Sequence, residues 1–174
     1  DNLTADDIVA AHESVLGDIY EASLPSVVHI RITQRVDGTS PDSGFKFFGG
    51  RSGSTDDRFL RGEGSGFVWD SEGHILTNYH VIQSADKITV TLPSNSSFPA
   101  EVIGFDRQSD LAVLKIDADE PLPFAQVGDS EKVKVGDWVL AIGSPFGLEK
   151  TVTAGIVSAT GRVVPTQIFG DYIQ

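Results

Sequence analysis

The chain has 174 residues, of which 40% are hydrophobic and 22% charged, and its formal net charge is −12. This composition is typical of a soluble globular protein, and the length fits one ordinary domain or two small ones. The negative charge argues against a nucleic-acid partner, which needs a basic surface. The absence of cysteine excludes disulfides, thiolate metal sites and cysteine nucleophiles.

The N-terminal segment predicts a helix. Thr4 and Asp7 form a capping-box pattern, and the helix is expected to end at Leu24, because the residue before Pro25 avoids helical backbone angles. Its apolar face is expected to contain Ile8, His12, Val15 and Ile19. The sequence begins without methionine and without a basic-then-apolar leader, so we expect any secretion signal to have been removed or never included.

The next segment changes from helical to strand periodicity. Val27, Val28, Ile30 and Ile32 are β-branched and closely spaced, and they predict a strand. Residues 37–64 are rich in Gly, Ser, Asp and Arg and predict a long loop, with an aromatic cluster at Phe45, Phe47 and Phe48. Loops of this length are either mobile surface segments or functional ones, and both interpretations stay open.

The remainder of the chain predicts strands and turns. Turn signals stand at 70–73, 93–96 and 144–147, and no helix long enough for a βαβ crossover lies between them. Many short strands at close spacing favour a barrel or a sandwich. The candidate strands are 66–69, 74–77, 87–92, 100–106, 111–116, 138–143, 151–159 and 163–168.

Two residues in this region have the chemistry of a proton-transfer pair. His80 is expected at the end of a strand, and Asp110 opens a strongly apolar strand. A half-buried carboxylate needs a hydrogen-bond donor, and a histidine Nδ1–H is a suitable one. The carboxylate would then fix the imidazole tautomer and leave Nε2 as a general base.

The surrounding segments are similar to those of a known family. GSGFVWDSEGHILTNYHVI, then FDRQSDLAVLKI, then GDWVLAIGSPFG resemble, in this order, the trypsin-like serine proteases of the HtrA (Deg) family. The resemblance runs from about Ser26 to Gln174. It implies that His80 matches the catalytic base and Asp110 the orienting acid of a Ser-His-Asp triad.

The same resemblance implies an all-β, trypsin-like double β-barrel preceded by a short N-terminal helix. We expect residues 1–25 to form the helix and lead-in, and 26–125 the first barrel with the long loop 37–64. Residues 126–174 are expected to contain a linker and the first strands of an incomplete second barrel. An incomplete barrel leaves an unpaired edge and an uncovered apolar face, so the separated chain is expected to aggregate or to be partly unfolded there.

The expected nucleophile is not in this sequence. The family places it in a Gly-Asn-Ser-Gly-Gly motif, which the chain lacks, so the resemblance implies a serine beyond Gln174 and an inactive isolated chain. Ser65 does not complete a Gly-x-Ser-x-Gly motif, because Glu63 precedes Gly64, and it is expected at a glycine-rich strand start. Ser144 is expected to serve turn formation.

The remaining histidines and the acidic residues predict no metal site. We expect His74 to face solvent, and His12 and His29 to be partly buried structural residues. No His-Glu-x-x-His motif is present, and the acidic segment 117–120 lacks the alternating ligands and the central glycine of a calcium loop. No cofactor is expected.

The resemblance implies a hydrolase of protein quality control, whose substrates are unfolded or misfolded proteins or peptides. It implies an extracytoplasmic location: the periplasm, an organelle lumen, or secretion or membrane anchoring through a missing N-terminal segment. It also implies a trimer-based homo-oligomer and a complementary C-terminal fragment that carries the serine. The alternative is a non-catalytic protease-like barrel that binds peptides or a partner. A cytosolic β-barrel for a small ligand would leave the His80 and Asp110 contexts as coincidences.

Overall fold

The computed structural model describes residues 4–35, 59–144, 151–161 and 172–174. The predicted strand 163–168 and the cluster Phe45, Phe47 and Phe48 lie outside these residues. The helices are α1 (Ala5–Ser23) and α2 (Tyr79–Ile82). The strands are β1 (Val27–Arg35), β2 (Phe59–Val68), β3 (His74–Asn78), β4 (Lys87–Thr91), β5 (Ser97–Asp106), β6 (Leu111–Lys115), β7 (Trp138–Gly143) and β8 (Thr151–Ile156).

Helix α1 begins with the predicted capping box. The Thr4 hydroxyl accepts the backbone N–H of Asp7 at 3.2 Å, and the Asp7 carboxylate accepts the backbone N–H of Thr4 at 2.9 Å. The Thr4 hydroxyl also donates to the Asp7 carboxylate at 2.7 Å, and this hydrogen bond, followed by the one from the Thr4 backbone N–H, lowers the pKa of the Asp7 carboxyl. The helix ends at Ser23, and Leu24–Ser26 form a short 3-10 turn into β1, so the predicted stop before Pro25 is confirmed. The expectation that Leu24 avoids helical angles is wrong, because its φ is −51° and its ψ −42°.

The first six strands form a closed antiparallel barrel in the order β1-β2-β3-β6-β5-β4. Strands of a closed sheet need the same alternation of inward and outward side chains, which the apolar residues of β1, β3, β4 and β6 provide. The barrel core consists of side chains that are almost completely buried: Val28, Ile30, Ile32, Val68, Ile75, Val90, Leu114 and Ile116.

Strand β2 is longer than the sequence predicts. It begins at Phe59, inside the segment predicted as a loop, and pairs with β1 from Arg35 opposite Phe59 to Val27 opposite Phe67. Its first half has little strand propensity of its own. Pairing with the apolar β1 therefore determines its conformation, which is the usual override of local propensity by tertiary contacts.

Strands β7 and β8 form a separate two-stranded antiparallel sheet after the barrel. Residues 172–174 return to it: the backbone N–H of Gln174 donates to the carbonyl of Ala159 at 2.9 Å. Helix α1 lies beside this sheet, and the His12 ring packs on the Trp138 ring with centroids 4.3 Å apart. The second sheet is therefore joined to both the N-terminal helix and the C-terminal residues.

Neither of the helices in the described part of the chain has the length and hydropathy needed to cross a membrane.

Candidate active site

His80 and Asp110 are brought together at one end of the barrel by adjacent strands. Strand β3 ends at Asn78 and β6 begins at Leu111, and these two residues are opposite each other in the antiparallel pair. His80 therefore lies just beyond the end of one strand and Asp110 just before the start of its neighbour. The sequence placed His80 at the end of a strand, but it lies instead in the single turn of helix α2.

The Asp110 carboxylate contacts His80 at two points. Its Oδ2 lies 2.6 Å from His80 Nδ1, and its Oδ1 accepts the backbone N–H of His80 at 2.8 Å. A carboxylate at Nδ1 favours the tautomer that carries its proton there and stabilises the protonated ring. The backbone contact fixes the main chain beneath the same side chain, so the ring and its backbone are oriented together.

The backbone of Asp110 is also held from the helix side. Its carbonyl oxygen accepts the backbone N–H of Tyr79 and the Asn78 Nδ2–H, both at 3.0 Å. Asp110 has φ of 55°, in the left-handed region, which costs a non-glycine residue about 1 kcal/mol. Such a conformation persists where surrounding contacts determine it, and here the contacts come from the residues around His80.

Helix α2 packs closely on strand β2. A Cβ atom at Gly64 would lie 2.6 Å from Val81 Cγ1, so the absence of a side chain at Gly64 lets α2 approach the strand. The His80 side chain remains 41% exposed and that of Asp110 30% exposed. The pair therefore combines a fixed orientation with access for a reacting group.

A cavity of about 940 Å³ lies between the barrel, helix α1 and strand β7, and its lining includes neither His80 nor Asp110. Asn78 and Leu111, the residues that end β3 and begin β6, contribute to its wall. Leu140 and Ile142 of β7 also line it.

A second histidine–carboxylate pair lies in the turn between β2 and β3. His74 Nδ1 lies 2.7 Å from Asp70 Oδ2, and Asp70 Oδ1 accepts the backbone N–H groups of Glu72 at 2.9 Å and His74 at 3.2 Å. Burial raises the pKa of the Asp70 carboxyl, but the hydrogen bonds outweigh this and the pKa lies below its ordinary value. His74 was expected to face solvent; its side chain is partly exposed, at 29%, and is paired with Asp70, which the sequence did not indicate.

Asp70, Glu72 and His74 bring three potential ligand atoms within 4.8 Å of one another. The contacts of Asp70 are those that close the turn, with Gly73 in the left-handed region at φ of 97°. This geometry forms the predicted turn 70–73.

The structure also locates the other serines and histidines that the sequence indicated as candidates. Ser65 lies inside β2 rather than at a strand start, and its Oγ accepts the backbone N–H of the buried Ser144 at 2.8 Å. His29 is buried in β1 and His12 is half-buried on α1, as predicted. Burial lowers the pKa of His29, Glu63 opposes this change, and Arg31 adds to it.

Sequence reasoning missed the residues that support the pair. Asn78 was treated only as part of a motif, although its side chain holds the Asp110 carbonyl. Tyr79, Phe105 and Arg107 form a stack beside it. No periodicity or spacing in the sequence could have indicated this stack, because it depends on the contact between α2 and the end of β5.

Comparison with known proteins also indicates a similarity to trypsin-like serine proteases. The trypsin-like peptidase domain family matches residues 64–174. Proteins called probable periplasmic serine endoprotease DegP-like are 42% identical over 172 residues in Hahella chejuensis and 40% identical over 190 residues in Pseudomonas fulva. These matches cover 90% and 95% of this chain but only 36% and 40% of the relatives. The chain thus spans well under half the length of the curated relatives it matches.

A solved structure of an HtrA-type protease, AlgWS227A with a decapeptide, superposes with a TM-score of 0.75 at 36% identity. The match covers 91% of this chain and 49% of the chain in that structure. The same protease variant with a tripeptide gives a TM-score of 0.73 at 34% identity.

The barrel, the partial second sheet and the matched residues define a trypsin-like peptidase domain, and the chain belongs to that family. Within the family, its relatives and structural neighbours are those of the HtrA/Deg type, which the motifs around His80 and Asp110 indicated. The predicted all-β fold with one complete barrel and part of a second is confirmed. The catalytic roles of His80 and Asp110 stay a prediction.

Proposed function

We propose that this chain is part of a serine endopeptidase of the HtrA/Deg type, in which His80 is the general base and Asp110 orients it. The observation that carries the proposal is the double contact of the Asp110 carboxylate with His80, through Nδ1 at 2.6 Å and the backbone N–H at 2.8 Å. Membership of the trypsin-like peptidase family supports the reaction class.

In the proposed reaction, His80 takes the hydroxyl proton of a serine as its oxygen attacks the peptide carbonyl. The protonated ring, stabilised by Asp110, then donates that proton to the leaving amine, and an acyl-enzyme forms. Water hydrolyses the acyl-enzyme by the same two proton transfers in the opposite sense. The side chains of this chain provide orientation and proton transfer, and the proposed reaction uses no cofactor.

The serine is proposed to lie beyond Gln174. The sequence contains no Gly-Asn-Ser-Gly-Gly motif, and neither Ser65 nor Ser144 is a better candidate: the Ser65 hydroxyl accepts the backbone N–H of Ser144, and Ser144 is buried. The residues around such a serine would also supply the backbone N–H groups that stabilise the oxyanion. The 174-residue polypeptide alone is therefore proposed to be inactive.

Unfolded or misfolded proteins outside the cytoplasm are the proposed substrates. The relatives' names, which include "periplasmic serine endoprotease", support the location, and the peptide-bound HtrA-type structures support a peptide ligand. A trimer-based homo-oligomer and a complementary C-terminal segment with the serine are proposed on the family resemblance alone.

Hydrolysis by the full-length gene product tests the proposal. We expect it to degrade an unfolded protein such as reduced α-lactalbumin, and we expect H80A and D110N each to reduce kcat/KM by about 10⁴-fold. The pair His74–Asp70 offers a matched control, because its 2.7 Å contact is similar but lies in the β2–β3 turn. H74A and D70N should therefore keep activity within about threefold.

Labelling with diisopropyl fluorophosphate identifies the nucleophile. We expect one serine after position 174 to carry the adduct in the wild-type protein, and far slower labelling in H80A. If the wild-type protein neither hydrolyses the substrate nor reacts with the reagent, yet binds peptides, it is the non-catalytic binding module instead.

A further inference from the structure

Three side chains form a stack next to the His80–Asp110 pair. The rings of Tyr79 and Phe105 lie parallel to within 30°, with centroids 4.9 Å apart. The Arg107 guanidinium carbon lies 5.4 Å from the Tyr79 centroid and 5.7 Å from that of Phe105. Both distances are within the range of cation–π attraction. Phe105 is 52% exposed, so burial in the core does not explain this arrangement.

The stack connects the two segments that carry the pair. Tyr79 begins helix α2 and immediately precedes His80. Phe105 lies at the end of β5, and Arg107 lies in the turn that leads from β5 to Asp110. A displacement of this turn relative to α2 would move the Asp110 carboxylate relative to His80, and the stack opposes that displacement.

Hydrogen bonds within the turn stabilise its shape, but its position relative to α2 requires a further contact. The Asp106 carboxylate accepts the backbone N–H of Gln108 and the hydroxyl of Ser109, both at 2.9 Å, and these two hydrogen bonds give the turn its shape. They do not fix its position relative to α2. That position depends on the hydrogen bonds made by Asp110 and on the side-chain contact through Arg107. Because Asp110 has a left-handed backbone, its conformation depends on such external contacts.

We propose that Arg107 is a positioning residue for the proposed hydrolysis: by stacking on Tyr79 and Phe105 it fixes the Asp110 turn against the helix that carries His80. This inference rests on the proposed function for its kinetic consequence. Arg107 acts through Asp110 and touches no reacting atom. The geometric part, the orientation of Asp110 toward His80 Nδ1, holds whether or not the protein hydrolyses peptides.

Substitution of Arg107 in the full-length gene product tests the proposal. R107M keeps an unbranched side chain of similar length and removes the charge that attracts the rings, whereas R107K restores a cation. A matched control is R35M, because the Arg35 guanidinium carbon lies 5.9 Å from the Phe59 centroid, in a pair that involves neither α2 nor the Asp110 turn. Both methionine variants change the net charge equally.

We expect R107M to lower kcat about three- to tenfold, the effect of losing the cation–π attraction of Arg107 to the two rings, with KM changed less than twofold. R107K should recover at least half of the loss, and R35M should behave as the wild type. A rise in KM with unchanged kcat would mean that the stack contacts substrate and would overturn the proposal. Unchanged kinetics in R107M would overturn it as well, even if the melting temperature fell.

A spectroscopic measurement separates this inference from the proposed function. In protein labelled with ¹⁵N-histidine, the Nδ1–H proton of His80 is assigned by its loss in H80A. We expect this resonance to move upfield or broaden in R107M and to return in R107K. An unchanged resonance overturns the positioning role. If the wild type is inactive, the proposed function fails, but this comparison still decides whether Arg107 orients the pair.

Discussion

Ser65 Oγ accepts the backbone N–H of Ser144 at 2.8 Å, across 79 positions of the sequence. Ser65 lies in β2 of the closed barrel, and Ser144 directly follows β7 of the second sheet. Ser144 is 7% exposed, so its N–H has little access to water. This hydrogen bond therefore joins the two sheets at a position where losing the acceptor leaves a buried donor without that partner.

The variant S65A should loosen this connection. Removal of the hydroxyl is expected to cost about 1.4 kcal/mol locally, equal to about tenfold faster hydrogen exchange of the Ser144 amide. Exchange is measured by NMR or mass spectrometry on the wild type and the variant. S94A is the control, because Ser94 is exposed and its hydroxyl donates to the neighbouring Ser96 hydroxyl. Equal exchange rates at Ser144 in S65A and the wild type would contradict the prediction.

Residue types and spacing predicted most of the barrel. The alternating apolar residues of β1, β3, β4 and β6 indicated strands whose limits differ from the observed ones by one residue at most where a limit was predicted. The capping box at Thr4 and the turn at 70–73 were predictable because their contacts are local. Local signals failed for the start of β2, which lies in the segment predicted as a loop and is a strand through its pairing with β1.

The sequence predicted that His80 pairs with Asp110, but it did not predict the geometry of their contact. The sequence indicated the two residues from their contexts, but not that α2 carries His80 or that Asp110 has a left-handed backbone. The partner of His74 was missed because Asp70 contacts both the turn backbone and the ring. Such contacts arise when the chain folds back on itself, and periodicity does not encode them.

Protonation of His29 should destabilise the protein below neutral pH. Burial lowers its pKa below the ordinary 6.5, with Glu63 Oε2 at 3.9 Å reducing that effect. The unfolded chain therefore takes up a proton at higher pH than the folded chain does. The contribution of His29 to stability is fully present above about pH 6.5. The free energy of unfolding declines as the pH falls from there toward the lowered pKa of His29 in the folded state. Urea unfolding at pH 8.0, 6.5 and 5.5 measures the decline.

Two variants assign this pH dependence to His29. H29Q removes the titrating group, so the difference in stability between pH 8.0 and 5.5 should shrink. E63Q removes the neighbour that raises the His29 pKa, so the same difference should grow. A pH dependence that is identical in the wild type, H29Q and E63Q would mean that other groups cause it.

The second sheet should be less stable than the barrel in the isolated 174-residue chain. All residues of β8 are exposed, and Trp138 and Ile156, opposite each other in the sheet, are 59% and 51% exposed. The barrel strands, by contrast, surround side chains with no exposure. We expect amides of β7 and β8 to exchange at least about 100-fold faster than those of β1 and β6.

Hydrogen exchange of the full-length gene product provides the comparison for this prediction. If further strands cover the sheet there, its β7 and β8 amides should be protected to nearly the level of the barrel. A single sharp thermal transition of the isolated chain, with uniform protection of both sheets, would contradict the prediction.

We expect any side chain at position 64 to destabilise the protein, because its Cβ atom would clash with Val81. A Cβ atom there would lie 2.6 Å from Val81 Cγ1 and 2.9 Å from Cγ2, which is shorter than van der Waals contact. G64A must therefore displace helix α2, at an expected cost of about 1–3 kcal/mol in the free energy of unfolding. G104A is the control, since a Cβ atom at Gly104 meets nothing within 4 Å. Urea unfolding followed by circular dichroism measures both.

The double variant G64A/V81A tests whether this contact is the cause. V81A removes the two clashing methyl groups, so the alanine at position 64 gains room and the combined loss should be smaller than the sum of the single losses by about 1 kcal/mol or more. Because His80 adjoins Val81, G64A should also shift the His80 Nδ1–H resonance, and the double variant should move it back toward the wild-type position. Additive losses of stability would show that the cost of G64A arises elsewhere in β2.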